Sequence, residues 1–156
     1  MCIRDRTYRD ELGCPIDKNA RLIQDAEQPF ENGHMFWRQD NDRAYVVYEM
    51  GGNSGEYQTF TKMWSEGDPE YSCAASPPAG KVQPKMGFGA AWCDLGGPSS
   101  AIGWGLGEEA GFGPGYGDPL VQQFEKGLIF RDSDGTTKGL AYVFFRTSKT
   151  FVRVSY

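Results

Sequence analysis

Apolar and polar residues alternate along two separated stretches of this chain, in nearly the same pattern. His34-Met35-Phe36-Trp37-Arg38 and Arg43-Ala44-Tyr45-Val46-Val47-Tyr48 flank a polar Gln39-Asp40-Asn41-Asp42 segment, which predicts a β-hairpin. Leu128-Ile129-Phe130-Arg131, a turn at Asp132-Ser133-Asp134-Gly135 and the run from Leu140 to Arg146 repeat it. The lead-in recurs as well: Gln28-Pro29-Phe30-Glu31-Asn32-Gly33 returns as Gln122-Gln123-Phe124-Glu125-Lys126-Gly127, with one offset of 94 from Phe30 to Phe124 and from Phe36 to Phe130. Each copy follows a Leu/Ile-Gly step, Leu12-Gly13 and Ile102-Gly103. A duplicated β-unit constrains the architecture before any single residue is interpreted.

The remaining pattern fills in around these units. Pro15 keeps Cys14 out of helix, so Leu12 to Pro15 is a turn. Tyr57 to Trp64 fits either a third strand or a short helix, and Thr150 to Ser155 alternates as a half-buried last strand. Gly67-Asp68-Pro69-Glu70 and Ser76-Pro77-Pro78-Ala79-Gly80 are turn-like and polyproline-like. Gly87 to Trp92 fits one helical turn, with Phe88 and Trp92 anchoring this stretch to the core. The glycine loop from Gly111 to Gly117 is expected to be mobile. The predicted fold is mainly β: two related β-hairpin units packed around a Pro/Gly-rich bridge with short helical turns. Within a single domain over 7–156, unit one spans 12–66, the bridge 67–98 and unit two 102–156.

Composition narrows the class. At 156 residues the chain can bury a core of its own, and its 21 Gly, 9 Pro and 14% aromatic content suit short strands and tight turns. A net charge of −5 argues against a nucleic-acid partner, because phosphate binding needs a basic face. The end from Lys126 to Tyr156 is nonetheless basic, with six Lys/Arg against Asp132 and Asp134, and is read as a solvated face. No apolar run approaches the ~20 residues of a membrane-spanning helix, so no membrane insertion is expected. Met1-Cys2-Ile3-Arg4-Asp5-Arg6 has no apolar core of a signal peptide and resembles translated sequencing-adapter read-through, a non-native segment over 1–6.

Four cysteines, Cys2, Cys14, Cys73 and Cys93, with a single His34, exclude a zinc ribbon, and no metal or cofactor is expected. A Cys73–Cys93 disulfide would close a Pro/Gly-rich loop; the alternative is two buried thiols. Cys14 has no obvious partner.

Leu12-Gly13-x-Pro15, Gln28-x-Phe30-Glu31-x-Gly33-x-Met35-x-Trp37 and Gln123-Phe124-Glu125-x-Gly127-x-Ile129 resemble the LGFP-repeat family. The spacing of 94 is longer than one such repeat, and Gly67 to Trp92 has no counterpart there. The hairpin and the Gln83-Pro84-x-x-Gly87-Phe88-Gly89-x-x-Trp92 stretch look more like repeats of uncharacterised extracellular bacterial proteins. The resemblance implies a cell-envelope or secreted setting.

Little in the sequence points to a reaction. Glu31 and Glu125 hold matching positions, but a glycosidase pair needs carboxyls roughly 5–9.5 Å apart across a cleft. They are read instead, with Phe30, Gly33, Phe124 and Gly127, as repeat structure, each Glu tying down the turn at Gly33 or Gly127 through backbone N–H groups. His34 is not duplicated, Leu128 standing in its place, and is read as a strand-surface residue. Asp132 to Gly135 opens like a calcium loop but lacks the distal Glu. Trp37 and Trp92 are assigned to the core. Trp104, Tyr116 and Phe112, in glycine-rich surroundings, are the expected ligand surface, since flat rings receive sugar faces. The function expected is a noncatalytic binding module for polysaccharide, with neighbouring domains of a parent chain as other partners. A structural repeat subunit of a larger extracellular protein is the alternative, and a small glycoside hydrolase the third.

Overall fold

The computed structural model describes residues 7–49, 51–61, 64–131 and 139–155. The 1–6 segment, with Cys2, and the turn at Asp132 to Gly135 lie outside them. Among the described residues ten strands follow in chain order: β1 Arg21–Leu22, β2 Asp25–Phe30, β3 Gly33–Arg38, β4 Arg43–Tyr48, β5 Ser54–Thr61, β6 Ala110–Phe112, β7 Leu120–Phe124, β8 Gly127–Arg131, β9 Leu140–Phe145 and β10 Thr150–Ser155. Helices α1 (Arg9–Leu12) and α2 (Met86–Asp94) and a 3₁₀ turn at Gly97–Ser99 complete the elements. The fold is mainly β, and all strands join one antiparallel sheet that curls into a half-barrel. Among the described residues no helix is long and apolar enough to cross a membrane.

The strand order β1-β7-β8-β9-β10-β5-β4-β3-β2-β6 reads as its own mirror once the copies are matched. Phe36 faces Tyr45 across β3 and β4 as Phe130 faces Tyr142 across β8 and β9. Val47 faces Tyr57 as Phe144 faces Phe151. A pseudo-twofold axis therefore runs between β5 and β10, which pair through Phe151 and Gly55.

Strand alternation sorts the side chains onto two faces. The concave face of both halves fills one shared core: Phe36, Tyr45, Val47 and Tyr57 from unit one meet Val121, Phe130, Tyr142, Phe144 and Phe151 from unit two. Rings dominate, with Phe36 edge-on to Phe130 and Tyr142 at centroid distances of 5.5 and 4.9 Å. The convex faces are covered differently. Unit one lies under α2, where Phe88, Ala91 and Trp92 pack on Phe30, Met35 and Val46. Unit two carries only Leu12 and Tyr8 over Phe124, Val143 and Phe145.

The structure adds detail to the sequence reading. The two units share one continuous sheet, and the Pro/Gly bridge folds over the convex face of unit one. The expected helical turn is a nine-residue helix, and Tyr57 belongs to strand β5. Cys14, for which the sequence offers no obvious partner, is disulfide-bonded. Cys73 and Cys93 are bridged with Cα atoms 5.9 Å apart, fastening the bridge segment to α2.

The Leu/Ile-Gly steps do not serve the hairpins they precede. The Leu12-Gly13 step docks on unit two: Lys126 N–H donates to Leu12 O, Glu125 N–H to Cys14 O and Ile16 N–H to Gln123 O at 2.8–3.0 Å. The Ile102-Gly103 step makes the matching set on unit one, from Asn32 to Ile102, Glu31 to Trp104 and Leu106 to Pro29. Gln28 reaches Gly107 O as Gln122 reaches Asp17 O. The two steps are exchanged between the halves.

Candidate functional site

The repeat glutamates belong to this exchange. Glu31 Oε2 accepts the Trp104 N–H at 2.9 Å, and Glu125 Oε2 accepts the Cys14 N–H at 3.0 Å. Each carboxylate sits against the glycine of its step: Gly13 and Gly103 have φ of +74° and +77°, and a Cβ on either would stand 2.5 Å from the carboxylate oxygen. The bonds are to backbone N–H groups, but of the other unit's step rather than of the turns at Gly33 and Gly127. Those two glycines serve instead to let the facing strand approach, since a Cβ there would collide with Val47 O or Phe144 O. The Trp104 N–H, then the Lys81 ammonium at 2.9 Å, hold the Glu31 carboxyl below its ordinary value. The two glutamates bond to different steps, Glu31 to the one at Gly103-Trp104 and Glu125 to the one at Gly13-Cys14.

Of the three residues expected to form a ligand surface, Phe112 and Tyr116 are brought together, while Trp104 packs on Trp92. Trp104 is half-buried and packs at 5.0 Å on Trp92, whose indole N–H donates to Gly103 O at 2.8 Å. Phe112 and Tyr116 stack on each other at 5.3 Å, with Tyr116 68% exposed. Ring–ring packing occupies one face of each.

A better-formed aromatic site lies elsewhere, where the bridge folds over unit one. A cavity of about 280 Å³ is walled by Trp37 and Phe60 from the convex face of β3 and β5, by Trp64 beyond β5, and by Phe88 of α2. Trp37, expected in the core, is half-buried and turns its ring to this space; its Nε1–H donates to Asp42 Oδ1 at 2.9 Å, which fixes the ring. Trp64 is held by an Nε1–H bond to Pro69 O at 3.1 Å. Asp42 and Glu109 put carboxylates on the lining. Glu109 is reached by solvent, yet desolvation pushes its carboxyl above the ordinary value. Flat apolar walls with a few polar groups are what a sugar ring needs, its C–H face on an indole and its hydroxyls at the rim.

The sequence held one clue to this site. Trp37 occupies a convex-face position whose counterpart in unit two is Arg131, as the pairings Trp37–Ala44 and Arg131–Ala141 show. An outward position where one copy keeps a large ring and the other a cation is a place where the scaffold alone does not dictate the residue. Trp64 and Phe88 come from segments without a repeat partner.

The interior holds a second polar group of residues. His34 Nδ1 lies 3.1 Å from Glu49 Oε2, Tyr142 Oη donates to Glu49 Oε1 at 2.6 Å, and Arg153 Nη1 pairs with Glu49 at 3.3 Å. His34 is therefore not a strand-surface residue: it points into the concave side and stacks on Phe36. Burial works to raise the Glu49 carboxyl, but the bond and charge of His34, the Tyr142 hydroxyl and the Arg153 charge outweigh it and leave it below the ordinary value.

No family model matches the chain, and no match is found among curated proteins or solved structures.

Proposed function

We propose that this chain is a noncatalytic binding module of a secreted or cell-envelope protein, holding a sugar unit of a polysaccharide in the cavity between Trp37, Phe60, Trp64 and Phe88. The observation that carries the reading is that cavity: four rings around about 280 Å³ with Asp42 and Glu109 at its edge. Two further points support it. The LGFP-like hairpins of the sequence suggest an envelope setting, and a disulfide such as Cys73–Cys93 persists in oxidising compartments. The glutamates a hydrolase would require are engaged in fastening backbone.

Affinity electrophoresis against a panel of soluble polysaccharides (cell-wall glycan fragments, chitin, xylan and β-glucan oligomers) tests the reading. The wild-type chain should be retarded by at least one of them. Trp64→Ala, which removes a wall without touching the buried core, should weaken that binding by about tenfold, as expected for loss of roughly 1–2 kcal/mol of aromatic contact. Binding that survives Trp64→Ala unchanged would place the ligand elsewhere, and no retardation by any polysaccharide would sink the reading.

A further inference from the structure

The two ends of the concave interior are built from equivalent positions, and only one is electrically closed. At the first end Tyr142 and Arg153, with His34, converge on the Glu49 carboxylate. The pseudo-twofold axis carries Tyr142 onto Tyr45, Arg153 onto Thr59 and His34 onto Leu128, as the shared strand registers require. It carries Glu49, one residue past β4, onto Arg146, one residue past β9. Where one end supplies a carboxylate, the other supplies a cation.

A cavity of about 240 Å³ opens at this second end, floored by Tyr45 and Tyr57 and bordered by Arg43, Arg146 and Lys149, with no carboxylate among its described lining. None of the three cations forms an ion pair among the described residues. The Arg146 guanidinium donates to the Glu125 carbonyl at 3.2 Å, and Lys149 lies over the Tyr57 ring. The nearby Asp40 is already engaged by Arg38 and Arg21, each at 2.8 Å. Tyr45 adds a directional feature. Its buried hydroxyl accepts from Arg38 at 3.3 Å and from Asn41 at 3.1 Å, which uses both lone pairs. Its own proton finds no acceptor among the described residues, whereas the matching proton of Tyr142 goes to Glu49.

We propose that this end of the interior binds the carboxylate of an acidic sugar, which takes the role Glu49 fills at the other end. Tyr45 donates to the carboxylate, and Arg43, Arg146 and Lys149 supply the countercharge. Thr59, Asn41 and Gln123 in the same lining meet the hydroxyls of a uronate ring. The volume is below the ~300–1,000 Å³ of drug-sized sites, so one ring rather than a chain segment is enclosed. The site is separate from the aromatic cavity, and either can fail without the other.

Trigalacturonate titrated into the ¹⁵N-labelled chain at low salt is the test, with maltotriose and inorganic phosphate as parallel arms. Trigalacturonate should shift the amides of Tyr45, Thr59 and Arg146, and raised salt should weaken it. The double variant Arg43→Gln/Arg146→Gln, at exposed positions that leave the core intact, should bind at least about tenfold more weakly, since one charged hydrogen bond is worth that much. Equal shifts from maltotriose would show that charge is not read, and equal affinity for phosphate that the carboxylate is not. Either result, absence of shifts at the three amides, or a double variant with unchanged affinity would overturn the proposal.

Discussion

The two hairpin units share a register, a concave core and an exchanged Gly step, but their convex faces diverge. Over unit two the cover is thin: Leu12 and Tyr8 close on Val143 and Phe145, and partly buried Ile129, Val152 and Val154 complete the patch. Over unit one a disulfide-fastened segment and a nine-residue helix bring Phe88 and Trp92 down on Met35 and Val46. The aromatic cavity arises only where that segment fails to close completely over the sheet. At its matched positions unit two has Arg131 for Trp37 and Val154 for Phe60. The shared parts make a scaffold, and the unshared segment makes a site on it.

If the bridge is integral to unit one rather than an appendage, Trp92→Ala is the change that shows it. Trp92 is wholly buried, and its truncation is expected to cost about 3–5 kcal/mol in urea unfolding. A variant of near wild-type stability that lost only the α2 helix signal would mean the sheet stands without its cover, and the contrast between the halves would be superficial.

The next largest effect concerns the closed end of the interior. The Glu49 carboxyl is held below its ordinary value, so the stability it contributes is present above the unfolded glutamate value of about 4.5 and is lost as pH falls through the lower folded value. Glu49→Gln should remove about 1–3 kcal/mol near neutral pH, the worth of charged hydrogen bonds at a buried site. The gap between the two proteins should narrow in thermal melts taken from pH 6 down to pH 3. A gap independent of pH would mean that the carboxylate charge does not hold this end together.

The smallest expected effect is the most symmetric. Gly13→Ala and Gly103→Ala each force a Cβ into a left-handed backbone position and should each cost about 1–2 kcal/mol. Similar losses in the two variants support equivalent locks; a loss confined to Gly103→Ala would show that the step on unit two is dispensable.

Much of this architecture was legible in the chain. The offset of 94 between the hairpins, the alternation within them and the bracketing of the bridge by Cys73 and Cys93 all follow from local pattern, which strand pairing obeys. What pattern could not carry was which step meets which hairpin. Glu31 and Gly103 are linked across 72 residues by a contact that has the same local appearance as the one between Glu125 and Gly13. The aromatic site was hidden for a related reason. Trp37 has the burial-prone character of a core residue, and only the placement of Trp64 and Phe88 leaves its ring facing a space. Trp104 misled in the opposite direction, because flanking glycines suggest openness, while here they let the chain bend closely around Trp92.

The exchanged steps also govern the order in which the molecule can be assembled. As the chain lengthens, the first hairpin is complete in sequence by Tyr48, but the segment that locks it arrives only with Ile102 to Leu106. The segment at Leu12 to Ile16 exists from the start and waits for the second hairpin. Each half is thus closed by a contact of high sequence separation, a feature that slows folding. A chain ending before Ile102 would carry the first hairpin without the step that locks it.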